Sequence, residues 1–318
     1  MSLQVLSPGF LTTIQDPGRF GYQRFGVPPS GAMDWFALHA ANHLVGNSPA
    51  AAGLEFTLQA PELAAEEDCL VAAAGCGFDL WIAGRWVGLW MAARVRRGEV
   101  IQFGARPEGG WGYLSVAGGV DTPLVLGSRS TYLRAGLGGL QGRALAAGDR
   151  LPIGALTGGD PFTRVGAYLV PRARPGYGSP VELSVVPGPQ DQAFSPHGQA
   201  VFFSSTYRVS PTSDRSGYRL TGERITHQNS ADLLSEGMAH GAVQVPADGQ
   251  PIVMMSDRPT TGGYPKIATL ARASLPLLAQ CQPGSGEVRF RPVSVQDAQA
   301  AYRRLLVQVE EGISYGED

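Results

Sequence analysis

Lysine is almost missing from this chain of 318 residues: Lys266 stands alone beside 24 arginines. A guanidinium stays charged and favours planar, two-pronged partners, whereas an ammonium is a compact charge whose pKa moves on burial. An arginine-biased sequence that keeps one ammonium marks its position as chemically distinct. Charge of either sign is scarce, at 16% of residues with a formal net charge of −2. That excludes a basic field for nucleic acid or for an anionic membrane surface. Cysteine is limited to Cys69, Cys76 and Cys281, an odd and scattered set that supports neither a disulfide framework nor a thiolate metal site. No apolar run reaches the roughly 18–20 residues that span a bilayer. The opening Met1-Ser2-Leu3-Gln4-Val5 has no signal-peptide pattern, so a cytoplasmic protein without membrane or nucleic-acid partners is expected. Also absent are a G-x-x-x-x-G-K-[ST] phosphate loop, a G-x-S-x-G elbow and an S-x-x-K motif. The run from Gly136 to Gly142 has the wrong spacing for a dinucleotide fingerprint. It reads as a mobile loop, with an anion cradle as the alternative.

What is abundant is glycine (43) and proline (24), which favours short strands and tight turns over helical bundles. Apolar alternation marks strands at Cys69–Ala74, Asp79–Val87, Gly98–Phe103, Tyr113–Val116, Val181–Val186, Ala242–Val245 and Pro251–Ser256. Helical spacing runs from Met33 to Leu44, and again from Val295 to Glu310, where Ser294 and Asp297 resemble a capping box. A short helix after Ser274 is bounded by Pro283-Gly284. The fold class is therefore mainly β with a few peripheral helices.

The halves also echo one another. Ser30-Gly31 precedes Leu54-Glu55 as Ser216-Gly217 precedes Ser235-Glu236, and Gly98-Glu99-Val100 is answered by Gly286-Glu287-Val288. Two related lobes from a duplicated unit are expected, 1–172 and 173–318, divided in the proline- and glycine-rich stretch from Val170 to Ser179.

Polar residues concentrate in a few segments. Asp257-Arg258-Pro259-Thr260-Thr261-Gly262-Gly263-Tyr264-Pro265-Lys266 gathers a carboxylate, hydroxyls, a phenol and the sole amine around a glycine pair. Ser30, with the amides of Gly31 and Ala32 at a helix start, offers a natural site for a carboxylate or phosphate; a structural turn is the alternative. Arg129, within Gly127-Ser128-Arg129-Ser130, suits two-pronged anion recognition or a loop-ordering ion pair. His39 and His43 have a chelating spacing but no third ligand nearby in sequence, so no metal is expected.

Gln15-Asp16-x-Gly18-Arg19-x-Gly21, Gly26-Val27-Pro28-x-Ser30-Gly31-Ala32-Met33-Asp34, Val186-x-Gly188-Pro189-Gln190, Ser213-Asp214-Arg215-x-Gly217-Tyr218-Arg219 and the Asp257–Lys266 segment resemble, in order, the biotin-dependent carboxyltransferase family. The likeness runs from about Leu3 to Phe290. It implies two lobes with cyclophilin-like β-barrels. It also implies a subunit of an ATP-dependent enzyme that opens the lactam of 5-oxo-L-proline to L-glutamate. The implied partners are a Kip-inhibitor-like subunit and a lactam-utilisation subunit, with ATP used at the level of the complex. The alternatives are half of a carboxyltransferase acting on urea or another small amide, with biotin carried on another chain, and a binding module that antagonises a kinase inhibitor. Residue type then suggests roles. Lys266, Asp257 and Asp34 are catalytic candidates, the carboxylates as bases. Ser30, Arg129, Arg219, Glu236, Thr261 and Tyr264 are substrate-binding candidates.

Overall fold

The computed structural model describes residues 1–105, 110–156 and 159–315. The chain divides into two units. One holds Met1–Arg19, Ser30–Arg174 and the segment from Leu306 onward; the other holds Phe20–Pro29 and Pro175–Leu305. The main break, at Arg174/Pro175, lies inside the proline- and glycine-rich stretch. The excursions have no local signature because long-range pairing decides them. Gln23 Nε2 donates to Met238 O at 3.1 Å, which ties Phe20–Pro29 to the second unit. The strand Ile313–Tyr315 pairs with Ala167–Leu169 in the first.

Strand dominates, as the glycine-punctuated alternation requires. The first unit contains a six-stranded sheet ordered Arg150–Pro152, Ser2–Ser7, Glu62–Ala65, Val100–Ala105, Phe78–Ile82 and Arg85–Trp86. A seven-stranded sheet runs Leu11–Gln15, Gly53–Thr57, Gly112–Val116, Cys69–Gly75, Met91–Val95, Ala167–Leu169 and Ile313–Tyr315. Their apolar faces meet in a core that includes Val5, Leu54, Phe56, Val71, Leu80, Ile101 and Leu114. Cys69–Gly75 is buried along its whole length, the continuous apolar run expected of a strand covered on both faces. The stretch expected as one strand from Asp79 to Val87 is a hairpin. Ala83 and Gly84 both have positive φ (49° and 73°), the conformation of a type I′ turn that matches strand twist, and Trp81 faces Trp86 across it.

The second unit is a closed barrel of seven strands in the order Val181–Pro187, Lys266–Leu270, Ala242–Gln244, Ile252–Met254, Gly217–Thr221, Tyr207–Val209 and Glu287–Pro292. Closure is through parallel pairing of Val181–Pro187 with Glu287–Pro292. A short ladder pairs Glu236–Gly237 with Thr261–Gly262.

There are four α-helices among the described residues: α1 (Trp35–Leu44), α2 (Pro196–Ser204), α3 (Leu275–Ala279) and α4 (Val295–Glu311). Sequence periodicity locates all but α2, whose Pro196 and Gly198 disguise it. Ser195 caps it by accepting from Gly198 N at 2.9 Å, and Gly198 is required because a Cβ there would strike the Thr226 carbonyl. None of the described helices is long and apolar enough to cross a membrane. The cap of α4 is real: Asp297 N donates to Ser294 Oγ at 3.1 Å, and Ser294 Oγ donates to Asp297 Oδ2 at 2.7 Å. Ser294→Ala is expected to cost about 1 kcal/mol, seen as a lower urea midpoint by circular dichroism.

The echoed motifs occupy different elements in the two units. Ser30–Asp34 leads into α1, whereas Ser216-Gly217 opens a barrel strand. Leu54-Glu55 lies inside a buried strand, whereas Glu236 belongs to the exposed two-residue ladder. Only the Gly-Glu-Val pair leads into a strand in both units.

Candidate functional site

The barrel strand that starts at Lys266 is built to hold that residue's ammonium inside. Its partner strand ends at Pro187, and the chain turns back at once. Gly188 N donates to Ile267 O at 2.8 Å, and a Cβ on Gly188 would collide with the Lys266 carbonyl. Only glycine lets the turn close this tightly, and the closure brings Gln190 beside Lys266. From the other side, the short ladder sets Glu236 opposite Gly262. A Cβ on Gly262 would press on the side chains of Met238 and Gln244.

Lys266 is 6% exposed, and its Nζ donates to Glu236 Oε1. Gln190 secures the pair from both sides. Its Nε2 donates to Glu236 Oε1 at 2.6 Å and its Oε1 accepts from Lys266 N at 3.2 Å. Glu236 keeps 44% of its side chain in solvent, so the pair lies at the boundary between barrel and water. An ammonium carries three donors; one is committed to Glu236, and the others have no protein partner among the described residues. The carboxyl of Glu236 is held below its ordinary range, first by the hydrogen bond from Lys266, then by that residue's charge and the hydrogen bond from Gln190, with desolvation opposing. A depressed carboxyl pKa means the pair is formed at and above the usual glutamate range and is lost as pH falls through the lowered value. Removal of the ammonium in Lys266→Met is therefore expected to raise the Glu236 titration midpoint, read by carboxyl-carbon NMR.

Thr261 and Tyr264 lie on the same hairpin and are both exposed, Tyr264 offering its carbonyl to Gln244 Nε2 at 3.1 Å. The structure thus joins Lys266 with Glu236 and places Thr261 and Tyr264 on the adjoining ladder and turn. Gln190 is the member that residue-type reasoning missed. It was visible only as the end of the Gly188-Pro189-Gln190 motif.

Asp257 and Arg219 stand apart from this group. Asp257 is buried in a two-pronged pair with Arg215, Nε to Oδ2 at 2.8 Å and Nη2 to Oδ1 at 3.2 Å. Both oxygens accept from one guanidinium, a geometry that suits an ion-pair anchor of the barrel. Arg219 points outward from the strand Gly217–Thr221 and is exposed, its backbone N–H bonded to Ser213 Oγ at 3.1 Å.

The first-unit candidates form a separate buried network. Asp34 is the N-cap of α1, accepting from Ala37 N at 2.9 Å, while its own N–H donates to Tyr113 Oη at 2.8 Å. Tyr113 Oη and Met33 N both donate to Glu55 Oε2 at 2.7 Å. Burial, and then the charges of Glu55 and Asp34, push the Tyr113 phenol well above its ordinary range. In this structure Asp34 serves as a helix cap. The helix start proposed for an external anion is served by the chain's own acceptors, since Ala32 N donates to Asp16 O at 3.1 Å and Met33 N to Glu55. Ser30 is buried at φ 55° with Oγ lacking a hydrogen-bond partner. Arg129 pairs with Asp121, and its N–H donates to Asp16 Oδ2 at 2.6 Å. Asp16 also accepts from Ser128 Oγ at 2.6 Å, Ser130 Oγ at 2.5 Å and Gly18 N at 2.8 Å.

The glycine run read as a mobile loop is a tight turn bonded to this network. Gly139 N donates to Arg129 O at 2.7 Å, and a Cβ on Gly138 would strike the Ser130 carbonyl and the Arg19 guanidinium. His43 Nε2 lies 3.3 Å from Glu310 O. Burial, then His43, holds the His39 imidazole below its ordinary pKa, with Glu310 opposing. Among the described residues no group of three or more His, Cys, Asp or Glu side chains is placed to hold a metal ion.

Comparison with known proteins gives a consistent result. The family model for the carboxyltransferase domain, subdomain A and B, matches residues 25–292. The chain is 38% identical over 296 residues to a subunit of 5-oxoprolinase from Escherichia coli (strain K12), covering 93% of each sequence. It is 35% identical over 311 residues to the corresponding 5-oxoprolinase subunit from Haemophilus influenzae, covering 97% of each. Among solved structures, K. lactis urea amidolyase matches 99% of this chain at a TM-score of 0.91 and 29% identity, with this chain spanning 20% of that longer one.

Proposed function

Because the chain belongs to the family of the carboxyltransferase domain, subdomain A and B, we propose that it is one subunit of an ATP-dependent 5-oxoprolinase, a cytoplasmic hydrolase that opens 5-oxo-L-proline to L-glutamate. The observation that carries this reading is the end-to-end match with proteins named as 5-oxoprolinase subunits, at 93% and 97% of both lengths. The partners we infer are a Kip-inhibitor-like subunit and a lactam-utilisation subunit.

The geometry around Lys266 suits the chemistry. Attack on a lactam carbonyl moves negative charge onto its oxygen, and a fixed cation with spare N–H groups at a water boundary stabilises that charge. In our reading Lys266 supplies these donors, Glu236 offsets its charge in the resting site, and Gln190 fixes both. Thr261 and Tyr264 on the same hairpin supply a hydroxyl and a phenol to orient the ring. ATP, when bound to the complex, supplies phosphoryl activation. Its phosphates do not fit the start of α1, where Asp34 and Glu55 already take the amides, so we assign the nucleotide to a partner subunit.

A second reading is favoured by the urea amidolyase match: half of a biotin-dependent carboxyltransferase acting on a small amide, with biotin on another chain. The deciding experiment is co-expression with the two partner subunits, followed by assay of glutamate from 5-oxo-L-proline with and without ATP. ATP-dependent glutamate is expected. Its absence from a fully assembled complex, together with carboxylation of urea when a biotin-carrying partner is supplied, would replace the first reading with the second.

A further inference from the structure

The six-stranded sheet of the first unit ends on the two-residue strand Arg85–Trp86. Arg85 faces Ile82, Trp86 faces Trp81, and Val87 N donates to Leu80 O at 2.9 Å. In an antiparallel ladder the backbone groups of successive residues point alternately toward and away from the partner strand. Those of Val87 point inward, so the N–H and C=O of Trp86 point out of the sheet, on the side where no described strand follows.

Beside this edge lies a cavity of about 380 Å³, lined from one sheet by Ile82 and Trp86 and from the other by Met91 and Ala93. Ile82 belongs to the core between the sheets, and the lining residues Val87 and Ala93 pack against it. The cavity is therefore an opening of that core at the sheet edge. Trp86 is 60% exposed. Its Nε1 donates to Asp79 Oδ1 at 3.4 Å, and its ring lies against Gly88, where a Cβ would come within 3.3 Å of it.

The charged lining is Arg85, Arg94, Arg96 and Glu99. Glu99 is engaged, Oε1 accepting from Arg85 Nη2 at 3.1 Å and Oε2 from Arg96 N at 2.9 Å. Arg94 pairs with Asp68 at 2.6 Å. The Arg96 guanidinium makes no hydrogen bond or ion pair among the described residues and acts on Asp68 through charge alone. With Asp68 counted, three guanidiniums stand against two carboxylates, so the rim keeps a positive excess.

We propose that this edge docks an extended acidic segment of a partner protein, added as a strand beside Arg85–Trp86. One residue of the incoming strand exchanges hydrogen bonds with the outward N–H and C=O of Trp86. Side chains alternate along a strand, so every second one enters the opening, where apolar groups meet Ile82, Val87 and Ala93. The positive rim selects acidic residues at the other positions. A second copy of the same edge brings the same arginines and is repelled, which favours a different chain as the occupant. Trp86 and the arginines are also of the residue types that concentrate binding energy at interfaces. The site stands independently of the proposed reaction.

The test uses the full-length chain and a fluorescein-labelled seven-residue peptide alternating valine with glutamate, read by fluorescence anisotropy. Saturable, sub-millimolar binding is expected, and the same peptide with lysine in place of glutamate should not bind. Trp86→Ala should weaken binding about tenfold or more. Arg96→Glu should weaken it about tenfold at low ionic strength and by less at high ionic strength. Two further peptides, N-methylated on the valines or on the glutamates, test strand addition: one should lose binding and the other keep it, since only alternate residues pair with the edge. Should Trp86→Ala fail to fold, Arg96→Glu, on an exposed turn, carries the test. Absence of saturable binding, equal affinity for the lysine peptide, affinity unchanged in Arg96→Glu, or equal affinity for both N-methylated peptides would each overturn the proposal. So would a dimer of the chain, seen by sedimentation, that the peptide cannot displace and that Arg96→Glu abolishes, because the edge would then belong to a second copy.

Discussion

Lys266→Met is expected to lower ATP-dependent glutamate formation by the assembled enzyme about 10²–10³-fold, the range associated with loss of one preorganised donor to a developing oxyanion. The isolated chain should keep its thermal midpoint to within a few degrees. Methionine fills the buried stem of the lysine without bringing a charge into the barrel. The carboxylate left behind, on Glu236, is 44% exposed and can be rehydrated. Lys266→Arg preserves the charge but presents a wide planar fork where Gln190 and Glu236 frame a compact ammonium, so it should recover only a small part of the rate. Equal rates for wild type and Lys266→Met, measured with every partner present, would remove Lys266 from the chemistry.

The second large effect lies in stability rather than rate. Asp257→Asn is expected to destabilise the barrel unit by about 3–5 kcal/mol, because it breaks a buried two-pronged ion pair with the Arg215 guanidinium. The pair links the turn before the strand Gly217–Thr221 to the segment after Ile252–Met254, and Asp257 N also donates to Arg215 O at 2.8 Å. Pairing the substitution with Arg215→Met removes both charges and should restore part of the loss. All five tryptophans, at positions 35, 81, 86, 90 and 111, lie in the other unit. Their fluorescence would miss the change, so urea unfolding should be followed by circular dichroism. The same measurement separates the two roles considered for Asp257. A catalytic base would lose activity in Asp257→Asn at nearly unchanged stability, whereas an ion-pair anchor loses stability first.

Much of the secondary structure could be read directly, for reasons local to the chain. Strands such as Cys69–Gly75 and Val181–Pro187 are short apolar runs set between turns, and α4 has both a cap and an apolar stripe. Helix α2 escaped because Pro196 and Gly198 mimic a loop, while its stability comes from Ser195 and from close packing on Thr226. The hairpin at Ala83-Gly84 escaped because positive φ at an alanine has no composition signal.

For the site, the sequence by itself determined where the unusual chemistry sits: one lysine, a glycine pair and a run of hydroxyls, in a motif resembling one family. It could also place Asp34, Asp257 and Arg129 among the polar candidates, because residue type and spacing are visible in one dimension. The tertiary structure alone decided which of them have free valence. It engaged Asp34 in a helix cap and Asp257 with Arg215, paired the Arg129 guanidinium with Asp121 while leaving its Nε without a hydrogen-bond partner, and brought Gln190 and Glu236 to Lys266 across separations of 76 and 30 residues. The physical reason is that a carboxylate's chemistry depends on the partners its oxygens already have, and those partners are chosen by barrel closure and strand pairing.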